Sequence, residues 1–215
     1  MAKIAVFGAS GRIGSRVVRE ALNRGHQVTA VVREPAALAD RPDDLRVITG
    51  TVFGPAAVAE AVAGQDAVVL AVGGAGASGD KDMYVRAGNA LVDAVRGRGD
   101  PPRIIVVGGA GSLEAAPGVR LLDTDGFPDA YRPEAEAGAR ALDFFRTVTD
   151  VPWTYLSPAA EIAPGERTGR YRTGTDRPVV ADDGESHISM EDYAMALLDE
   201  IEDPKFAGRR FTVGY

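Results

Sequence analysis

No cysteine occurs among the 215 residues. Disulfides, thiol nucleophiles and thiolate metal sites are therefore excluded. Only two histidines are present, His26 and His187, and two separated imidazoles without a thiol make a metal site unexpected. Excess positive charge is also lacking: the formal net charge is −7 with no concentrated basic patch, so a nucleic-acid partner is not expected. No apolar run is long enough to cross a bilayer, and Met1-Ala2-Lys3-Ile4 leads into a strand rather than a signal-peptide pattern. No membrane association is expected, and the missing cysteines fit a cytoplasmic setting. Aromatic residues make up only 7% of the chain. The core must then be built from plentiful Ala, Val and Gly, which suits close packing of strands against helices.

What is present suits a single domain over 1–215: 45% hydrophobic residues are enough for a sizeable core. Short apolar runs at Ile4 to Phe7, Val28 to Val32, Leu45 to Ile48, Ala67 to Val72 and Ile104 to Val107 predict five strands. Helices are predicted between them at Arg12 to Arg24, Pro55 to Ala63 and Asp82 to Val95, the first two stopping at Gly25 and Gly64. In the third helix, Met83, Ala87, Ala90, Leu91 and Ala94 are expected to form the buried face. Strands apolar on both faces and separated by helices imply an α/β fold with a doubly wound parallel sheet.

The rhythm loosens after Val107. Residues 108–132, rich in Gly and Pro, read as a long functional loop. A helix follows from Pro133 to Val148 and a strand from Trp153 to Leu156. Residues 157–187 read as a small substrate-side lobe. Ser189-Met190-Glu191-Asp192 has the capping-box spacing, with Asp in place of Glu or Gln, and opens a last helix striped by Tyr193, Ala194, Leu197, Leu198 and Ile201. Phe211 to Val213 is the final predicted strand.

The central motif is Gly8-Ala9-Ser10-Gly11-Arg12-Ile13-Gly14, placed between the first strand and the first helix. Gly8 permits the turn out of the strand, Gly11 lets a pyrophosphate approach the backbone, and Gly14 lets the helix pack on the sheet. The helix N-terminus then presents free N–H groups and a positive dipole end to phosphate. This is the Rossmann arrangement for a dinucleotide. The second strand ends Val31-Val32-Arg33. A guanidinium there, with Arg12 as a second cation, favours the 2′-phosphate of NADP(H) over NAD(H). The alternative is a solvated Arg33, with Glu34 on the ribose. The fourth strand ends Val72-Gly73-Gly74 and the fifth ends Gly108-Gly109, where ligands bind in such folds.

GASGRIG, Arg33 and the VVGGAGS segment at 106–112 together resemble the atypical short-chain dehydrogenase/reductases. Closer still is the likeness to an NAD(P)H-binding family often described as NADH-flavin reductases, related to biliverdin reductase B. The segments Trp153 to Pro158 and Gly184 to Ser189 share in it, so the resemblance covers essentially the whole chain. It implies cofactor contacts at Gly8, Ser10, Gly11, Arg12, Ile13 and Arg33, at the strand ends near Gly73 and Gly109, and at Pro158 and Ala159 beside the nicotinamide. One departure matters. Members of the wider group pair a Tyr with a Lys four residues on. Here Tyr84, Tyr131, Tyr155 and Tyr193 are followed at that spacing by Gly88, Ala135, Ala159 and Leu197. Reduction of a simple ketone then lacks its usual proton donor. Flavin or quinone reduction remains open, because such acceptors delocalise the incoming charge and take a proton from solvent.

Ser112, just past the fifth strand, could bind the acceptor or serve only as a loop hydroxyl. Tyr131 could stack on an acceptor or donate a proton, or lie idle at the surface. His187 could assist protonation or make a structural hydrogen bond, and His26 reads as structural. The leading expectation is an NADPH-dependent reductase of a conjugated small-molecule acceptor, a flavin or quinone, with 108–132 and 157–187 forming the acceptor pocket. The alternatives are a non-catalytic NADP(H) redox sensor and a redox-neutral epimerase, dehydratase or isomerase.

Overall fold

The computed structural model describes residues 1–38 and 45–215. The parallel strands are β1 (Lys3–Phe7), β2 (Gln27–Val32), β3 (Arg46–Thr49), β4 (Ala67–Leu70) and β5 (Arg103–Val107). Two very short strands, β6 (Glu114–Ala116) and β7 (Val119–Arg120), pair with each other. The main sheet continues through β8 (Trp153–Ser157), while β9 (Glu161–Ala163) pairs with β11 (His187–Ser189) outside it. Strand β10 (Arg172–Gly174) runs antiparallel along β12 (Arg209–Gly214). The main sheet has the order β10-β12-β8-β5-β4-β1-β2-β3. The chain reverses direction across the sheet between β1 and β4, which opens a crevice at their carboxyl ends. This is the doubly wound Rossmann fold anticipated from the strand–helix alternation.

The helices among the described residues are α1 (Gly14–Asn23), α2 (Pro55–Val62), α3 (Ala75–Ser78), α4 (Met83–Val95), α5 (Arg132–Thr147) and α6 (Met190–Glu202). Strand side chains alternate between two cores. Ile4, Val6, Ala30, Val69, Ile105 and Leu156 pack with α1 and α6 on one face. Ala5, Phe7, Val31, Val68, Ile104 and Val106 pack with α2, α4 and α5 on the other. Period-2 alternation with both sets buried is what makes these strands read as unbroken apolar runs. Among the described residues, no helix is long and apolar enough to cross a membrane.

Most sequence boundaries agree within one or two residues. The expected face of α4 does not. Ala87, Gly88, Leu91, Val92 and Val95 are buried, whereas Met83, Ala90 and Ala94 are only half-buried. The cause is Gly88, whose missing side chain admits the Phe145 ring of α5: an added Cβ would lie 2.8 Å from it. That close approach turns α4 toward α5. The short helix α3 was not foreseen, and 108–132 is not one loop but three 3-10 turns and the β6–β7 hairpin.

Residues 161–171 strap across α1 and α6. Arg167 binds Glu20 with two hydrogen bonds of 2.8 Å, Thr168 and Gly169 donate to Asp192, and the Tyr171 hydroxyl donates to Asp199. The capping prediction holds: Ser189 Oγ accepts the N–H of Asp192 at 2.9 Å.

Candidate active site

A cavity of about 740 Å³ opens at the carboxyl ends of β1, β2, β4 and β5, within the size range of small-molecule and cofactor sites. Its floor is the glycine loop. Gly8 has φ +80°, and a Cβ on it would meet the Ala71 carbonyl oxygen at 2.4 Å. Gly14 lies against the Gly8 carbonyl, where a Cβ would sit 2.1 Å away. Neither position accepts a side chain without moving backbone. The loop closes through Gly11 N–H donating to Gly8 O at 2.9 Å. The N–H groups of Arg12, Ile13 and Gly14 find no protein acceptor among the described residues, so they and the positive end of α1 are left for an anion. The loop is anchored from behind. Arg16 donates to the Arg12 carbonyl at 2.7 Å and to Glu191 of α6 at 2.5 Å.

On the β2–β3 side, Arg33 and Arg12 line the mouth. Both are exposed, and neither side chain has an ion pair or hydrogen bond among the described residues. Gly50, Thr51, Val52 and Phe53 form the wall next to them. The sequence reading missed this wall, because a four-residue segment after β3 carries no motif. On the β4–β5 side, Val72, Gly73, Gly108 and Gly109 make the rim. The Tyr155 ring fills the space a side chain at Gly108 would need, and its hydroxyl donates to the Gly138 carbonyl at 2.9 Å. Burial pushes the Tyr155 phenol well above its ordinary pKa, so it stays protonated and structural.

The opposite wall comes from α4 and α5, with Met83, Tyr84, Glu134, Gly138 and Ala141. Tyr84 and Glu134 meet there. The Tyr84 hydroxyl donates to Glu134 Oε1, and Glu134 Oε2 accepts the Gly76 N–H at 2.5 Å. This pair escaped sequence reading for a definite reason. The Tyr–Lys spacing relates Tyr84 only to Gly88, whereas its partner is 50 residues away.

Of the residues expected at the site, Gly8, Ser10, Gly11, Arg12, Ile13, Arg33, Val72, Gly73 and Gly109 line the cavity together. Others lie elsewhere. Gly74 caps α3 outside the lining. Ala159 is fully buried in the α1/α6 core, and the Pro158 carbonyl accepts from Thr212. Ser112 is buried with its carbonyl and hydroxyl turned to Arg210, at 2.8 and 3.2 Å. Tyr131 is 67% exposed at the start of α5. The acceptor wall differs from expectation as well: from 108–132 only Gly108 and Gly109 contribute, and from 157–187 no residue does. His187 stands edge-on to Tyr215 with ring centroids 5.2 Å apart, away from the cavity lining. His26 accepts the Ala2 N–H and meets Glu202, a structural role.

Comparison with known proteins adds the following. The profile of a family described as NAD(P)H-binding matches residues 8–204. Three solved structures resemble the chain over its whole length. A "putative exported protein" from Burkholderia pseudomallei is 48% identical, with a TM-score of 0.88 and 100% of each chain covered. A "putative epimerase" from Bacteroides thetaiotaomicron is 41% identical, with a TM-score of 0.89 and 97% of that chain covered. A "putative NADH-flavin reductase" from Streptococcus pneumoniae is 33% identical, with a TM-score of 0.88 and 99% of that chain covered.

Proposed function

The chain belongs to the NAD(P)H-binding family, and from that premise we propose that it is an NADPH-dependent oxidoreductase acting on a flat conjugated acceptor such as a flavin or quinone. The observation that carries this reading is the lining of the cavity: an anion-binding loop and two cations at one end, and the small residues Gly73, Gly109, Gly138 and Ala141 at the other. The free N–H groups at the start of α1 suit the pyrophosphate. Arg12 and Arg33 suit the 2′-phosphate that separates NADPH from NADH. When bound, the reduced nicotinamide supplies a hydride. The chain holds the acceptor flat against these small residues and excludes water from it, which for a charge-delocalising acceptor is the larger part of the task. The likeness to the pneumococcal structure supports the same reading. The small-molecule acceptor is the partner this cavity is built for, and a cytoplasmic setting suits a protein that draws on NADPH.

One observation favours a second reading. The Tyr84–Glu134 pair is an acid/base couple inside the cavity, which a redox-neutral epimerase or isomerase requires, and the Bacteroides relative carries an epimerase name. The deciding experiment is anaerobic consumption of NADPH, with NADH in parallel, over a panel of flavins, quinones and carbonyl compounds. Saturable oxidation with NADPH preferred supports the reductase. Tight NADPH binding with no oxidation on any acceptor rejects it in favour of the redox-neutral enzyme or a sensor.

A further inference from the structure

We infer that Tyr84 and Glu134 form a proton-delivering pair that replaces the absent Tyr–Lys couple, and that the substrate class therefore extends to α,β-unsaturated carbonyl compounds. This rests on the reductase reading and adds to it. The two residues follow β4 and β5, on the opposite side of β1 from Arg33. A dinucleotide whose phosphate-bearing end lies at Arg33 must therefore put its nicotinamide on their side. Both side chains line the cavity and are half-buried. Around them the lining is Gly73, Met83, Gly138 and Ala141. A ligand carbonyl at this end of the cavity has the Tyr84 hydroxyl as its side-chain partner.

The hydrogen bonding of the pair allows a relay. Glu134 Oε2 is held by the Gly76 N–H, and Oε1 faces the Tyr84 oxygen. Turning the Tyr84 hydroxyl to a ligand carbonyl leaves its oxygen facing Oε1, so that a proton carried by Glu134 can replace the one it gives up. The reduced nicotinamide, when bound, would supply the hydride that the β-carbon takes up, leaving the electron pair on the carbonyl oxygen. The Tyr84 O–H bond breaks as an O–H bond forms to that oxygen. Tyr84 takes the Glu134 proton, and solvent reprotonates Glu134. The sum is enone, NADPH and one proton to enol and NADP⁺, the enol then relaxing to the saturated ketone. A quinone needs this proton far less, because its reduced ring spreads the charge.

The test compares benzylideneacetone with menadione in wild type, Tyr84→Phe and Glu134→Gln. General acid catalysis contributes on the order of 100-fold or more. Tyr84→Phe should therefore lose about 100-fold in enone reduction and a distinctly smaller factor in menadione reduction. Glu134→Gln can still accept the Gly76 N–H and donate to Tyr84, so it preserves the contacts but cannot pass a proton. Its enone rate should fall at least about tenfold, with NADPH affinity and melting temperature unchanged. A purely structural pair would leave this variant at the wild-type rate. In cofactor-free protein, the infrared carbonyl stretch of bound benzylideneacetone should move to lower frequency in wild type and Glu134→Gln but not in Tyr84→Phe. Three results overturn the inference: equal losses on both acceptors, no enone turnover beside active menadione turnover, or no infrared shift in wild type. Failure of wild type to consume NADPH with either acceptor would sink the reductase reading and the reduction step together. The infrared shift, read without cofactor, would then report separately whether Tyr84 holds the carbonyl.

Discussion

The glycine loop and the strap over α1 and α6 are built on opposite principles. The loop at 8–14 is made by backbone: two positions without room for a Cβ, a short internal hydrogen bond, and N–H groups left free. The strap at 161–171 is made by side chains reaching across the chain, from Arg167 to Glu20 and from Thr168 to Asp192. Asp192 and Glu20 are buried carboxylates saturated with donors, so each is stable only as part of its network. A backbone-built feature should fail by losing its ligand. A side-chain network should fail by losing stability.

The largest effect is expected at Gly14. An alanine there puts a Cβ 2.1 Å from the Gly8 carbonyl oxygen, so the loop must open. Calorimetric titration should show NADPH affinity weakened by more than about 100-fold, or about 3 kcal/mol. An unchanged Kd would break the comparison at its first term. Asp192→Ala comes next. It leaves the donors Thr168, Gly169 and Tyr215 without their acceptor, at a cost of about 3 kcal/mol in urea unfolding. NADPH affinity should stay at the wild-type value. If binding fell instead, the strap would belong to the site and the contrast would be false.

Acid sharpens the same contrast. Burial raises the Asp192 pKa, but the hydrogen bonds from Thr168, Tyr215 and Gly169 outweigh it and hold the carboxyl below its usual value. Arg167, then Arg24, hold Glu20 down against burial in the same way. A carboxylate lowered in the folded state stabilises it above the unfolded pKa and ceases to do so as pH falls through the folded value. Stability should therefore be level above about pH 5 and decline below about pH 4. Asp192→Asn combined with Glu20→Gln should flatten that decline; an unaltered acid slope would assign it to other groups.

Arg33→Asp should act on binding alone. Replacing an exposed cation at the cavity mouth should shift the NADPH-to-NADH affinity ratio by roughly 10- to 100-fold toward NADH, the worth of a charge-assisted contact, with no change in melting temperature. No shift would remove Arg33 from cofactor selection. The smallest effects are expected at Tyr131→Phe and Ser112→Ala. Tyr131 is exposed outside the lining, and Ser112 keeps its backbone carbonyl on Arg210. Turnover in both should stay within about twofold, as expected away from a site. A larger loss in either would extend the acceptor region beyond the cavity described.

This contrast also explains what could be read in advance. GASGRIG is local: seven adjacent residues between a strand and a helix carry the whole argument, and the structure brings five of them, Gly8, Ser10, Gly11, Arg12 and Ile13, to one cavity with Arg33. The parallel sheet was legible because strands buried on both faces leave an unbroken apolar signature. The Tyr84–Glu134 couple, the Arg210–Asp176 pair and the Arg210–Ser112 contact span 50, 34 and 98 residues. No spacing rule reaches that far. Ser112 follows β5, where this fold places ligand contacts, but Arg210, two strands away on β12, claims it. The face of α4 was misread because the decisive residue, Gly88, is defined by what another helix inserts into its gap.

The measurement that tests the central claim most directly is the rate of anaerobic NADPH consumption with a quinone or enone, using NADPH deuterated on one or the other face of nicotinamide C4. Hydride transfer from a cofactor fixed in this cavity predicts saturable turnover that slows with deuterium on one face only. No consumption with any acceptor, despite tight NADPH binding, would contradict it.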